Sequence, residues 1–398
     1  MLSTRFYSIT LVTLLFLVCP DLHSQETGDD EMVQKLVEAG FVNVRTAETA
    51  NQRIYTIEND AYKLQASGVA KALQILDAEH SDDGKICKVI VTDYNVPQVT
   101  LTYDPSVGRW NTTYRLDESW DRVKYVKRAA SSVGNVDLVI YPQVSLMNLI
   151  ITQVYQSLWQ VSPALEVSLW PGAKFTAQLK IPVFNDGYEG IEDRTHPGFI
   201  TLSQRLRLPG NVFTRVTAGI MGTNRFGVDL DVRYPLPNER FYLFGELAYL
   251  GASYFQGYNY YYIPDMYWYW NFGGSYYMPA LETQFSLMYA QFVYGDRGFK
   301  YEMIRHFRFA SIGFYAEKGR YSQFNGGFRF QVALPPYRAK RYGKLPRVTT
   351  SGQMGLVYNT NNERYFYKEY KVEASDNIME KNGFNPYFIQ SEINKLNY

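Results

Sequence analysis

From Phe226 to Gly251 the chain reads FGVDLDVRYPLPNERFYLFGELAYLG, and its apolar positions recur at every second residue. Val228, Leu230, Val232 and Tyr234 alternate with Asp229, Asp231 and Arg233. Successive side chains of a strand point to opposite faces, so this spacing predicts a strand with one charged face and one apolar face. Pro235 and Pro237 end it, Asn238-Glu239 supply turn chemistry, and a second strand follows with Phe241, Leu243, Leu247 and Tyr249 opposite Glu246. The unit repeats. Val161, Pro163, Leu165, Val167 and Leu169 alternate with small and polar residues, and Pro171-Gly172 turns the chain. Phe175, Ala177, Leu179 and Ile181 alternate with Lys174, Thr176, Gln178 and Lys180. Ile200, Leu202, Leu206 and Leu208 alternate with Thr201, Ser203, Arg205 and Arg207. Further segments at 281–292, 299–307, 312–317 and 324–334 bring the expectation to roughly twelve antiparallel strands between about Asn135 and Tyr358.

Strands this long and this evenly two-faced suit a transmembrane β-barrel, whose strands need about nine to eleven residues with apolar positions outward and polar ones inward. A secreted soluble β-protein is the alternative. The turns at Pro171-Gly172, Leu208 to Asn211 and Pro235 to Asn238 are tight, whereas Asn185 to Pro197 and Ser253 to Trp270 read as longer loops. Short turns on one side and long loops on the other favour the membrane barrel.

Before the strands, residues 25–128 read as a small α/β module in the order α-β-β-α-β-β. Asp29-Asp30 cap a helix with Val33, Leu36 and Val37 on one face and Gly40 at its end. Strands are expected at 41–45, 53–57, 88–92 and 98–102, with a helix from about Leu64 to Glu79 and a turn at Asn95-Val96-Pro97. Trp110 to Gly134 reads as a charged connector, the barrel as residues 129–358, and 359–398 as a last strand with a polar tail.

The N-terminus changes the setting. Arg5 followed by an apolar run from Ile9 to Val18, with Leu22-His23-Ser24 before Gln25, reads as a signal peptide over residues 1–24. Cys19 leaves lipidation open, and Cys87 is the other cysteine, so cleavage after Ser24 leaves no pair for a disulfide. An exported chain without an eighteen-residue apolar run crosses a bilayer only as a closed barrel. The net charge of +1 gives no reason to expect nucleic acid as a partner.

Aromatic residues make up 16% of the chain, with 35 tyrosines, a composition suited to lipid–water interfaces or to stacking on sugar rings. The densest cluster is Tyr258, Tyr260, Tyr261, Tyr262, Tyr267, Trp268, Tyr269 and Trp270. It is a candidate glycan-stacking loop, or more plainly an interfacial girdle. Lys174, Lys180, Arg205, Arg207, Asp229, Asp231, Arg233, Glu246, Lys300, Glu302 and Arg329 are candidate lumen-lining residues, of mixed sign. A wet barrel interior needs such groups whatever it conducts. His306 lies near Glu302, but no G-x-S-x-G is present and no spacing pairs it with a serine, so no catalytic residue is assigned and no metal or cofactor is expected.

Several segments resemble the YjbH-like family. The resemblance lies in LVEAGFVNVR at 36–45 with Ile57-Glu58-Asn59 before a helix, PGFITLSQ at 197–204, AGIMGTNRFGVDLD at 218–231, YGDRGFKYEMIR at 294–305 and NGGFRFQVALPP at 325–336. It implies a non-enzymatic outer-membrane β-barrel protein of exopolysaccharide or capsule biosynthesis and export in a Gram-negative bacterium, with its N-terminal domain in the periplasm. The partners so implied are outer-membrane lipid, a polysaccharide chain, and periplasmic or outer-membrane export proteins. The motifs specify architecture and supply no active residues. Many relatives are longer, with further α/β and barrel units, so closure of the barrel alone or with another chain stays open. A general porin, a structural envelope barrel and a barrel enzyme acting on lipid or glycan are the alternatives.

Overall fold

In the computed structural model the described residues are 30–76, 84–148, 155–187, 190–222, 224–292, 295–322, 324–359, 370–376 and 383–396. The expected signal peptide and Cys19 lie outside them. The N-terminal part is a five-stranded sheet of β1 (Phe41–Glu48), β2 (Gln52–Asn59), β3 (Ile86–Asp93), β4 (Val96–Asp104) and β5 (Arg109–Thr113), in that order. The parallel β2–β3 pair is bridged by α2 (Gln65–Leu76), and the other pairs are antiparallel. Helix α1 (Asp30–Ala39) and α2 cover one face, burying Leu36, Val69, Ala72 and Leu73 against Val44, Ile57, Val89 and Leu101. The expected connector from Trp110 is instead part of this domain. Its first residues form β5, and α3 (Glu118–Val123), capped by Asp117, packs Val123 on the opposite face against Ile54 and Ile90.

The β3–β4 turn is Tyr94-Asn95 rather than Asn95-Val96-Pro97, with both residues at positive φ, 48° and 65°. That is the backbone a two-residue hairpin needs, and it is strained for a tyrosine. Beneath the turn lies a buried polar cluster. Glu58 accepts hydrogen bonds from the Asn43 side chain (2.9 Å), the Thr92 hydroxyl (3.2 Å) and the Asn95 backbone N–H. Arg45 reaches the Asn95 side chain at 2.8 Å. The turn that strains Tyr94 is thus held through Asn95, by its backbone N–H and its side chain.

The rest of the strand residues form one mainly antiparallel sheet. It contains β6 (Val136–Asn148), β7 (Tyr155–Ser168), β8 (Ala173–Asp186), β9 (His196–Leu208), β10 (Val212–Met221) and β11 (Arg225–Pro235). It continues with β12 (Phe241–Gln256), β13 (Asn259–Met278), β14 (Thr283–Gln291), β15 (Arg297–His306), β16 (Ala310–Gly319) and β17 (Asn325–Ala333). Nine of these twelve long strands match segments read from the alternation; β6, β10 and β13 do not. Two short ones, β18 (Arg347–Thr350) and β19 (Gln353–Asn359), complete a ladder of fourteen in the order β18-β6-β7, then each strand in turn to β17, then β19.

The ladder is open, which corrects the expectation of a closed barrel at the level of hydrogen-bonded strands. β18 pairs in parallel with β6, β19 pairs antiparallel with β17, and no ladder among the described residues joins β19 to β6. The two ends are nonetheless consecutive in sequence, separated by Ser351 and Gly352. Ser351 N–H donates to Ile140 O of β6 at 2.8 Å, and Gly352 O accepts from Leu334 N–H beyond β17 at 3.0 Å.

Cross-strand register carries the two faces through the sheet. On the outward face, Leu165, Leu202, Leu206, Val216, Val228, Leu243, Leu247, Phe272, Leu287, Phe299, Phe314 and Phe330 are all exposed. Along β9 from Ile200 to Leu208, β10 from Val212 to Ile220, β11 from Phe226 to Tyr234 and β12 from Phe241 to Tyr249, no outward position holds Asp, Glu, Lys or Arg. The inward face is polar and buried, with Lys174, Thr176, Thr201, Ser203, Thr217, Asp229, Lys300 and Asn325 each under one-tenth exposed. Among the described residues no helix is long and apolar enough to cross a membrane.

The connections at 169–172, 209–211, 236–240, 279–282 and 307–309 lie at one end of the sheet, where the N-terminal domain docks. Arg207 donates to Pro97 O (3.1 Å) and to Tyr114 O, Gly172 N–H to Tyr94 O (2.7 Å), and Arg115 to Pro237 O (2.8 Å). Asp60 joins Asp137 of β6 through a shared pair of arginines, Arg341 and Arg347. The tail departs from the expected strand with a polar end. Its last element is helix α4 (Pro386–Leu396), which buries Ile389 and Ile393 in the N-terminal core. The same helix ties Lys395 to Glu282 (2.5 Å) and Tyr387 to Asn238 O (3.0 Å) on the sheet.

Candidate functional site

The inward face is occupied along β6 to β13 by residues 370–376, YKVEASD. Val372 packs on Met221, Ala248, Leu250 and Tyr269, and Ala374 on Val139, Tyr141, Ala164 and Phe199. Lys371 O accepts from Gly222 N–H at 2.9 Å, and the Tyr370 hydroxyl donates to Asp229 at 2.6 Å. Glu373 is fully buried. Its Oε2 meets Lys174 Nζ at 2.6 Å and Arg205 Nη2 at 3.0 Å, and Lys174 also donates to the Ser375 hydroxyl at 3.0 Å. Asp376 takes Arg215 at 2.6 Å and, with its other oxygen, accepts the backbone N–H of Glu373 at 3.0 Å. From the other side the β3–β4 hairpin brings Asp93 to within 3.3 Å of Arg205 and sets the Tyr94 ring 4.7 Å from its guanidinium.

The site thus has three contributors: the sheet wall, the tip of the N-terminal domain and the C-terminal segment. Lys174, Arg205 and Arg215 form its cationic centre, and Glu373, Asp376 and Asp93 answer them. Charges in a site this dry need partners, because the desolvation of each ion costs several kcal/mol.

The eleven expected lumen residues separate into groups. Lys174 and Arg205 belong to the cationic centre. Asp229, beside Glu246, faces Tyr370, and Glu246 accepts from Asn271 on β13. Asp231 lies opposite Arg215 on β10 and Glu246 on β12. Glu302 and Arg329 form an ion pair at 3.1 Å on the wall of β15 to β17, with Lys300 and Arg329 both against the Tyr315 ring. Arg207 and Arg233 share the inward face but lie at its docked end. They flank Phe213, 4.7 and 5.1 Å from its ring, beside the domain junction. Lys180 lies past a register irregularity in β8, opposite His196, away from this cluster.

The aromatic cluster is corrected as well. Ser253 to Trp270 is no loop. β12 and β13 run on past their neighbours, turn at Gly257-Tyr258, and project as a two-stranded hairpin from the end opposite the N-terminal domain. Tyr254 stacks on Tyr261 with centroids 5.3 Å apart, Phe255 meets Tyr260 at 5.1 Å, and Tyr260 meets Tyr262 at 6.1 Å. Tyr258, Tyr262, Tyr267 and Trp268 are more than half exposed. Trp270 packs with Phe272 and Tyr289 on the outward face, whereas Tyr269 is buried inward against Tyr370. Of the two long loops expected, only the one between β8 and β9 still separates two strands, from 187 to 195.

His306 has a serine partner that spacing along the sequence did not show. Its Nδ1 lies 2.9 Å from Ser311 Oγ across the β15–β16 turn. Both residues are buried, and Phe388 of α4 lies against the ring at 5.5 Å, beside a small pocket that His306, Phe388 and Glu392 line. Among the described residues no group of three or more His, Cys, Asp or Glu could hold a metal ion.

Arg215, Tyr370, Glu373, Asp376 and Tyr94 were missed. Arg215 had a signal, since Phe213, Arg215 and Thr217 alternate with Thr214, Val216 and Ala218 as in the strands that were read. The acids of VEASD had only the indirect signal of an interior rich in arginine and lysine. Comparison of the chain with protein-family models, with curated proteins and with solved structures returns no match.

Proposed function

We infer that the long sheet closes as an outer-membrane β-barrel through the segment 347–359, and that the protein is a non-enzymatic component of exopolysaccharide or capsule export in a Gram-negative bacterium. The observation that carries the membrane reading is the outward face: exposed, apolar and uncharged through the middle of four successive strands. A soluble monomer rarely exposes an apolar surface so extensive. β11 has eleven residues, or roughly 36 Å at ~3.3 Å per residue, and a tilt near 45° converts that to a height of about 26 Å. The apolar band of such barrels is ~25 Å tall. An edge left unpaired in lipid is untenable, and the segment that meets β6 with its first half and β17 with its second is where the remaining edges would have to join.

The polysaccharide part of the reading rests on the resemblance to the YjbH-like family. The exposed aromatic hairpin supports it, since tyrosine and tryptophan faces suit sugar rings. On this reading the N-terminal domain faces the periplasm, where its outer surface meets an export partner, and the hairpin faces outward. An open general porin is the weaker reading, because residues 370–376 and the docked domain fill the interior such a pore would need. The test is cell-surface and periplasmic polysaccharide in a deletion strain. Loss at the surface with accumulation in the periplasm is expected, and unchanged polysaccharide in both compartments refutes the role.

A further inference from the structure

Arg205 and Arg215 are direct cross-strand partners on β9 and β10. Like charges so placed destabilise a sheet. Lys174 adds a third cation from β8, opposite Ser203. Folding the strands does not call for this concentration of charge, and the two acids that best answer it, Glu373 and Asp376, come from a segment outside the sheet. Their fit is incomplete. Lys174, Arg205 and Ser375 all engage Glu373 through Oε2, while its buried Oε1 accepts no hydrogen bond among the described residues. On the same wall the hydroxyls of Thr176 and Thr201 and both amide atoms of Gln178 are buried without hydrogen-bond partners among the described residues. Native interiors pair nearly all such groups. The wall offers more donors and acceptors than residues 370–376 use.

We propose that Lys174, Arg205 and Arg215 form a binding site for the carboxylates of an acidic polysaccharide, which residues 370–376 occupy in cis until such a chain displaces them. This rests on the export reading above and names its substrate class. Exchanging one pair of carboxylates for another keeps all three buried cations matched. A neutral glycan that displaced the segment would take the nearest acid from each of the three, leaving Arg205 with Asp93 at 3.3 Å and Lys174 with Glu166 at 4.0 Å. Discrimination between acidic and neutral chains is therefore built into the cost of removing the segment. The idle hydroxyls and amide at Thr176, Thr201 and Gln178 supply hydrogen bonds to sugar hydroxyls beside the carboxylate site.

The experiment is calorimetric titration of the full-length protein, folded in detergent, with oligogalacturonate and with maltooligosaccharide of equal length. Glu373→Gln with Asp376→Asn weakens the hold of residues 370–376 without touching the cations, and is expected to bind oligogalacturonate at least tenfold more tightly than the unaltered protein. Asp376→Asn alone, which keeps the oxygen that caps the Glu373 backbone, gives a smaller gain and guards against a fold defect in the double variant. Lys174→Gln with Arg215→Gln abolishes the binding, and maltooligosaccharide binds none of the proteins. Equal affinity in the acid variants and the unaltered protein, or equal binding of the two glycans, overturns the proposal. Those results leave the export reading to the deletion strain, so the two fail separately.

Discussion

Leu247 and Leu208 separate a sheet that faces lipid from one that faces water. Both are outward residues with the same exposure, 45%. Leu247 sits midway along β12, between Leu230 of β11 and Trp270 of β13. Leu208 is the last residue of β9, beside the turn at 209–211. In water the two sites are equivalent, and an arginine at either changes stability by about 0.5 kcal/mol or less, as at most surface positions. In a bilayer they differ by depth. Arginine on the lipid face costs about 2–4 kcal/mol at the midplane and about 0–1 near the interface. Leu247 is five residues from either end of the part of β12 that pairs with β11, or roughly 17 Å along the strand at ~3.3 Å per residue. Leu247→Arg is thus expected to lose about 2–4 kcal/mol and Leu208→Arg no more than about 1 kcal/mol. The larger loss is roughly a thirtyfold to thousandfold change in the folding equilibrium. The assay is reversible guanidinium unfolding in phosphatidylcholine vesicles, followed by tryptophan fluorescence. Equal shifts for the two variants would refute a lipid-facing sheet.

Burial raises the Glu58 carboxyl from its ordinary value to about 7, against the hydrogen bonds from Asn95, Asn43 and Thr92. The folded state therefore holds a proton that the unfolded state releases at 4.5, so stability is greatest below 4.5, falls as pH rises to about 7 and is flat above. The loss is about 3 kcal/mol across that window at ~1.4 kcal/mol per unit, and Glu58→Gln removes it. Hydrogen exchange of the β1 to β4 peptides between pH 5 and 8 measures both, and an unchanged profile in the variant would rule Glu58 out as the source. Arg347→Ala strips one of the two arginines shared by Asp60 and Asp137 and is expected to cost about 3 kcal/mol, with Arg347→Lys recovering part of it. A denaturant midpoint unmoved by Arg347→Ala would show the junction to be held elsewhere. Tyr258→Ala, at an exposed hairpin tip, should leave the unfolding midpoint unchanged and weaken binding of the exported polysaccharide by about threefold to tenfold, the equivalent of one ring contact. Unaltered polysaccharide affinity would return the hairpin to a purely interfacial role.

Alternation along the chain determined what is local. A period of two over ten or more residues has only one regular backbone that sorts it, so nine of the twelve long strands, their two faces and the turns at 171–172, 208–211 and 235–238 were legible, while β6, β10 and β13 were not. The α-β-β-α-β-β order of the N-terminal domain was legible for the same reason, from spacing and from Gly40. The inward placement of Lys174, Arg205, Asp229, Glu246 and Lys300 followed from parity alone. Where the period was hidden, the sequence misled. Tyr258 to Trp270 is aromatic on both faces, so no alternation marks it, and only pairing with β12 makes it a hairpin. VEASD at 372–376 has no period of its own, and its place is set by arginines and a lysine more than 150 residues earlier. Which cations stay answered by the sheet and which need the tail depends on cross-strand register, as at Arg205 and Arg215. Register, the meeting of β18 with β6, and the docking of Tyr94 are long-range pairings between segments that are individually unremarkable. Tertiary structure decides them, because buried charge and open strand edges are costs that only distant parts of the chain can offset.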